Sequence, residues 1–369
     1  MQEDFHYYAT YAAAYLAGYS HEEAMEICYS AQFVDLCSVT LLSRLKAPKS
    51  VATTQFQLEL MDHRTDLVGL QDITKIWAAF HFLPKDLYAQ KKWAGKRYLS
   101  KYRLICGPNG DLVKKTVELA KGRSLQSVGI AMHVLADTWA HRYFAGTPSL
   151  VINNVNYDFY EIIPEGDGFT KRKIKFRHKT SEPDDIEKGL YTSSIFQSNE
   201  SSIMNLGHGR AGHFPDYSFA RYRYLPAWAD YEQVIKDNPT EYMKAFRQMV
   251  YAMKFIRGDV ENFELDHYDT ESVDPYEERI KEILEKRQLN ACADWKAFGE
   301  NLSGKTIEDF DIEKYQQEYM DAQKGEKAGT FLGKFFYGAL SHKEMVSYNI
   351  KCSGNYLTGL PNRKRGGKK

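Results

Sequence analysis

The stretch GIAMHVLADTWAHRYFAG, residues 129–146, places His133, Asp137 and His141 four residues apart. Each residue of an α-helix advances by ~100°, so positions i, i+4 and i+8 drift by only ~40° per step and share one face. Ile130, Val134, Ala136 and Ala140 surround that stripe with apolar side chains, which predicts a helix buried over most of its circumference. A buried polar stripe must be satisfied from elsewhere in the chain. One buried histidine is readily satisfied by a carbonyl, whereas two imidazoles and a carboxylate in register are compensated best by a bound divalent cation. The chain is thereby constrained to a helical fold that brings further donors to this segment.

Helical periodicity extends through most of the sequence. Residues 4–19, DFHYYATYAAAYLAGY, are rich in Ala and Tyr and end near Gly18, and Ser20 then opens a second helix with Glu23 at capping-box spacing. The two read as a helical hairpin. Apolar spacings of three and four predict further helices near 67–80, 111–121, 124–144, 226–236, 239–257, 274–288 and 311–323. One segment departs from the pattern: LVINNVNYDFYEIIPEGDGFTKRKIKFRHK has β-branched and aromatic residues on both sides of EGDG and reads as a β-hairpin over 150–178. Its second strand alternates Lys173, Ile174, Lys175, Phe176 and Arg177, so its cations share one face, either solvated or offered to an anionic surface.

The expected fold is mostly α, a multi-helix bundle with a β-hairpin insertion. Residues 1–260 are read as a helical metal-binding domain with the hairpin near 150–178, residues 261–360 as a helical extension packed on it, and residues 361–369, PNRKRGGKK, as a basic disordered tail weakly drawn to anionic surfaces. With 43% hydrophobic and 14% aromatic residues in 369, the chain can bury a sizeable core. Its 49 basic and 49 acidic residues cancel, so no global field draws it to a charged polymer. Cys28, Cys37, Cys106, Cys292 and Cys352 are odd in number and form no CxxC pair, which fits reduced thiols better than a disulfide framework, with a Cys28–Cys37 bridge as the alternative. MQEDFHYY lacks the basic-then-apolar start of a signal peptide, and no run of 18 apolar residues occurs. A cytoplasmic protein without a transmembrane segment is expected.

The remaining donors extend the stripe. His6 lies in the first helix, Asp35 follows the apolar face of AQFVDLC, His81 stands in FHFLP, and His208 and His213 stand in LGHGRAGHFPD, which closes on Asp216. Imidazole and carboxylate without thiolate suit Zn²⁺ or a similar hydrolytic ion, and the inventory has room for two or three ions. His21, His178, His267 and His342 read as surface residues. Asp62, His63 and Asp66 in MDHRTD read either as a substrate contact or as a solvated face. The absence of an HD dipeptide argues against the HD-type phosphohydrolases.

This order of donors resembles the zinc-dependent phospholipase C and P1/S1 nuclease superfamily over residues 1–217, and the amino terminus resembles a bacterial family, with no assigned activity, that begins MQEDFHYY. The resemblance implies a mostly helical bundle holding three zinc ions that hydrolyse phosphoesters. It implies Asp35, His81, His133 and Asp137 around one ion, His6 at a second with Asp137 bridging the pair, and Asp216, His141 and either His208 or His213 at the third. His208 is preferred for its flanking glycines. The superfamily's terminal-amine ligand has no direct equivalent, since Met1 precedes His6 by five positions; Asp4 or the Met1 amine are the substitutes. Asp35 is the implied base for the attacking water. The expected partner is a phosphoester, either a phospholipid or a nucleotide or nucleic acid, and the alternative is a non-catalytic metal-stabilised scaffold.

Overall fold

The computed structural model describes residues 1–55, 67–166, 168–177, 184–187, 190–193 and 206–359. The cluster Asp62, His63 and Asp66, the residue His178 and the tail 361–369 lie outside them. The first helix opens with a π-helical turn, Asp4–Ala9, and continues as α1, Thr10–Leu16. Gly18 adopts φ +88°, the chain reverses, and Ser20 caps α2, His21–Phe33, through a reciprocal box with Glu23. α3 (Val39–Arg44), α4 (Leu67–Phe80), α5 (Lys96–Tyr102), α6 (Asp111–Ala120) and α7 (Leu125–Ala140) follow.

α7 is the central element. Every residue from Gln126 to Ala140 is buried, and the helix packs against α2, α4 and α6. Gly129 permits a close approach to α2: a Cβ there would lie 2.3 Å from the Ile27 carbonyl. The crossing brings His133 within reach of the α2 backbone, so the glycine is a determinant of the site as well as of the packing.

The remaining described elements are β1 (Tyr160–Glu165), β2 (Gly168–Lys173), β3 (Lys175–Arg177), β4 (Tyr191–Ser193), α8 (Gly207–Ala211), β5 (Arg221–Tyr224), β6 (Val234–Asp237), α9 (Asn238–Arg257), α10 (Glu277–Glu285), α11 (Cys292–Ser303), α12 (Gln316–Asp321) and α13 (Phe331–Cys352). The β1–β2 hairpin is present with Glu165 opposite Gly168, but it starts at 160 rather than 150. It is also one half of a four-stranded antiparallel sheet of order β2-β1-β5-β6. Tyr222 and Tyr224 alternate inward from β5 onto Phe159, at 5.2 and 5.4 Å. β3 leaves the hairpin and pairs in parallel with β4.

The helix expected over 226–236 is not formed. Pro226 leads into a single 3₁₀ turn, Asp230 and Tyr231 turn the backbone at φ +54° and +61°, and 234–237 pairs with β5. Sheet pairing overrides the local helical spacing. α11 and α13 lie within the segment 261–360 expected to be helical, at positions where apolar spacing marks no individual helix. Both pack into the core that holds the first helix: Phe5 meets Tyr242 at 5.0 Å and Trp295 at 5.9 Å, and Trp295 stacks on Phe246. The fold is mostly helical with a small antiparallel sheet. All five cysteines are free, and among the described residues no helix is long and apolar enough to cross a membrane.

Candidate metal centre

Eight of the nine candidate ligands converge around the middle of α7. Asp137, with its side chain 1% exposed, is the hub. Its Oδ1 lies 3.2 Å from His6 Nε2 and 3.0 Å from the Met1 amino group, and its Oδ2 lies 3.2 Å from His133 Nε2, 3.3 Å from His81 Nδ1 and 3.4 Å from His141 Nδ1. Asp35, just beyond α2, reaches His81 and His133 at 3.7 and 3.9 Å. On the other side, Asp216 Oδ1 lies 3.0 Å from His208 Nε2, 3.4 Å from His141 Nε2 and 3.3 Å from the Met1 amine. These contacts resolve into three groups that can hold a metal ion: His6, His133 and Asp137; Asp35, His81 and His133; and His141, His208 and Asp216.

The backbone fixes the direction of each imidazole. His133 Nδ1 lies 2.9 Å from the Ala31 carbonyl, His81 Nε2 3.0 Å from the Thr53 carbonyl and His141 Nδ1 2.7 Å from the His81 carbonyl. A carbonyl only accepts, so each of these nitrogens carries the proton, and the network assigns the tautomer. The other nitrogens of His133 and His141, whose imidazoles burial keeps neutral, are then bare lone pairs, and His133 Nε2 stands 3.3 Å from His81 Nδ1. Such an outer carbonyl partner is the arrangement that orients metal-ligating histidines. His6 stacks on His133 at 3.9 Å, and among the described residues neither of its buried nitrogens has a hydrogen-bond partner. Lone pairs and carboxylate oxygens facing one another at close range in a largely buried site repel unless a cation lies between them.

Burial pushes the imidazoles of His6, His133 and His141 down to about 4, so all three are neutral near pH 7. Burial also acts to raise the Asp137 carboxyl, but His141, the Met1 ammonium and His133 outweigh it and hold it well below the usual range. The Met1 amine, despite a burial that disfavours its charge, is raised to about 11 by Asp137 and Asp216. This ammonium stands among the three carboxyl groups of Asp35, Asp137 and Asp216. The pocket opens on its Asp35 and His208 sides, whose side chains are 29% and 19% exposed.

His213 does not join the cluster. It turns outward, 60% exposed, and lies 3.1 Å from Asp184. Asp4, the other substitute considered for the terminal ligand, accepts instead from the backbone N–H of Phe5 and of Ala291. The turn carrying Asp216 is held from α9, where Asn238 donates to the carbonyls of Phe214 and Tyr217, and the Tyr242 hydroxyl lies against those of Pro215 and Asp216. α13 supplies supports that the sequence reading missed. His342 is buried and lies 2.8 Å from the Ala79 carbonyl, and Lys343 donates to the carbonyls of Ser50 and Ala52, one residue before Thr53. Their signal was the apolar stripe Leu332, Phe335, Phe336, Ala339, Val346 and Ile350, on whose face both residues lie.

Residues 1–350 match the model of a family described as a family of unknown function, DUF6765, and the chain belongs to that family. No curated protein and no solved structure matches it.

Proposed function

We propose that this DUF6765 chain holds a cluster of divalent ions, zinc by the chemistry of its donors, and hydrolyses phosphoester bonds with it. The observation that carries the reading is the convergence of the His6, His81 and His133 ring nitrogens on Asp137, with no hydrogen-bond partner for either nitrogen of His6 among the described residues. Nitrogen and carboxylate donors without thiolate suit zinc. His6 and Asp137 would hold one ion, Asp35, His81 and His133 a second, and His141, His208 and Asp216 a third, with Asp137 shared where the first two adjoin. The order of these donors along the chain is similar to that in the zinc-dependent phospholipase C and P1/S1 nuclease superfamily.

Ions so placed supply Lewis acidity to a phosphoester oxygen and lower the pKa of an attacking water. The chain's own residues do the rest. His133, His81 and His141 are locked by backbone carbonyls, so the donor set needs no rearrangement to bind. Asp35, the most exposed of the converging donors, stands where a substrate would enter and serves as acceptor for the proton of the water. The apolar wall of α7 excludes bulk solvent from the inner donors.

The test is metal analysis of the protein purified without added metal, followed by turnover assays on bis-p-nitrophenyl phosphate, phospholipid and single-stranded nucleic acid. Copurifying zinc and turnover that falls at least a hundredfold in Asp35→Asn are expected. Absence of bound metal overturns the proposal. Metal at full occupancy with no turnover on any of the three substrates assigns the cluster to a metal-stabilised scaffold instead.

A further inference from the structure

The stretch KDLYAQKKWAGKRYLSKYR, residues 85–103, carries seven Lys and Arg against one Asp, in a chain whose net charge is zero. It leaves the candidate metal centre directly: Phe82 stacks on His141 at 5.0 Å, and two residues later Pro84 bridges Cys106, closing the base of the excursion. Lys85 N–H donates to the Ile105 carbonyl across the same base.

We propose that this excursion is a docking surface for an anionic lipid bilayer. The proposal is independent of the metal chemistry, since none of its residues is a candidate ligand. The excursion is built rather than loose. Lys91 donates to the Trp228 carbonyl, pairs with Asp230 at 2.9 Å and lies over the rings of Tyr98 and Tyr102, while Arg103 Nε donates to the Ala89 carbonyl. These contacts consume two of the cations and leave Lys92, Lys96 and Arg97 exposed. α5, on which two of them lie, buries no residue. Arg97 and Lys101 crowd one another: partial burial and the Arg97 charge lower the Lys101 ammonium, as like charges do when no anion is near.

Trp93 stands at the turn of this loop, fully exposed, at φ +62°. Beside the Lys91–Asp230 pair, Tyr231 and Tyr157 meet edge to face at 5.7 Å, and both are more than half exposed. An unpartnered, projecting indole flanked by cations suits a yielding interface, where tryptophan and tyrosine settle at headgroup level and lysine and arginine meet lipid phosphates. A single-stranded nucleic acid would need rings open for stacking along a groove. Here Tyr98 and Tyr102 are stacked on each other and capped by Lys91, and Trp93 makes no ring contact among the described residues.

The experiment is vesicle flotation of the full chain, with phosphatidylcholine vesicles with and without phosphatidylserine, and tryptophan emission read in parallel. Binding to the anionic vesicles alone is expected, with a blue shift that is absent in Trp93→Ala. Each cation near an anionic surface contributes about fivefold to partitioning, so replacing Lys92, Lys96 and Arg97 by Gln should weaken it roughly a hundredfold. All these substitutions are at exposed positions, and unchanged circular dichroism and metal content establish that the variants are intact. Absent binding, equal binding to neutral vesicles, or anionic binding that survives both sets of substitutions overturns the proposal. Capture of a single-stranded oligonucleotide without vesicle binding also overturns it and reassigns the surface to nucleic acid.

Discussion

Asp137→Asn isolates charge from shape at the point where most of the donors meet. The amide fits the space of the carboxylate, and its NH₂ can donate to the bare Nε2 of His133, 3.2 Å from Oδ2 in the native protein. Without metal, therefore, the main loss is the partner of the Met1 ammonium. That amine is raised from 8.0 to about 11, which corresponds to ~4 kcal/mol at ~1.4 kcal/mol per unit. Asp216, at 3.3 Å, retains part of this, so about half, or ~2 kcal/mol, is lost with Asp137. With an unfolding entropy of ~2 cal/mol/K per residue, a chain of this length should melt ~2–3 °C lower.

With metal the difference is larger. An ion held at a thousandfold its Kd stabilises the fold by ~4 kcal/mol, about 5 °C here, and Asp137→Asn removes an anion from between two ion positions. Chelation should thus lower the melting temperature of the wild type by about 5 °C per ion and that of Asp137→Asn by appreciably less. Calorimetry with and without chelator, alongside metal stoichiometry by mass spectrometry, measures both terms. Equal metal content and equal chelator sensitivity in the two proteins would refute the bridging role.

Gly129→Ala should displace α7 from α2, because its Cβ would fall 2.3 Å from the Ile27 carbonyl; an overpacking penalty of ~1–3 kcal/mol in chemical denaturation and weakened metal retention are expected, and an unperturbed melting curve would contradict the crossing. His342 is neutral when folded, lowered to about 4 by burial, against ~6.5 unfolded. Its contribution, up to ~3 kcal/mol, is fully present above pH ~6.5 and is lost as the pH falls from there towards 4, so His342→Gln should flatten the acid limb of melting temperature against pH by up to one proton. Tyr242→Phe removes the hydroxyl that holds the Asp216 turn and should lower stability by ~1 kcal/mol while reducing metal occupancy, whereas substitution of outward-facing His213 should leave occupancy unchanged.

Much of the site was legible because its donors sit on elements with strong local signals. The stripe on α7 follows from helical spacing alone, and Ser20 and Glu23 announce α2, which delivers Asp35. The supports of the site were not legible, because they are made by backbone carbonyls. Nothing in the types of Ala31, Thr53 or Ala79 marks them as acceptors for His133, His81 and His342; their role exists only once the crossings of α2, α4, α7 and α13 are set.

The same limit explains the sheet. RYRY at 221–224 carries a period-two signal, but four residues become a strand only when β1 and β6 lie on either side, and the partner segment 234–237 was masked by helical spacing upstream of it. His208 and His213 are separated by a comparable circumstance. Both stand within reach of Asp216 in sequence, and α8 decides between them by turning His208 towards His141, at a ring distance of 4.6 Å, and leaving His213 beyond the end of the helix against Asp184. The sequence specifies which residue types can ligate. The packing of α7 against its neighbours selects those that meet.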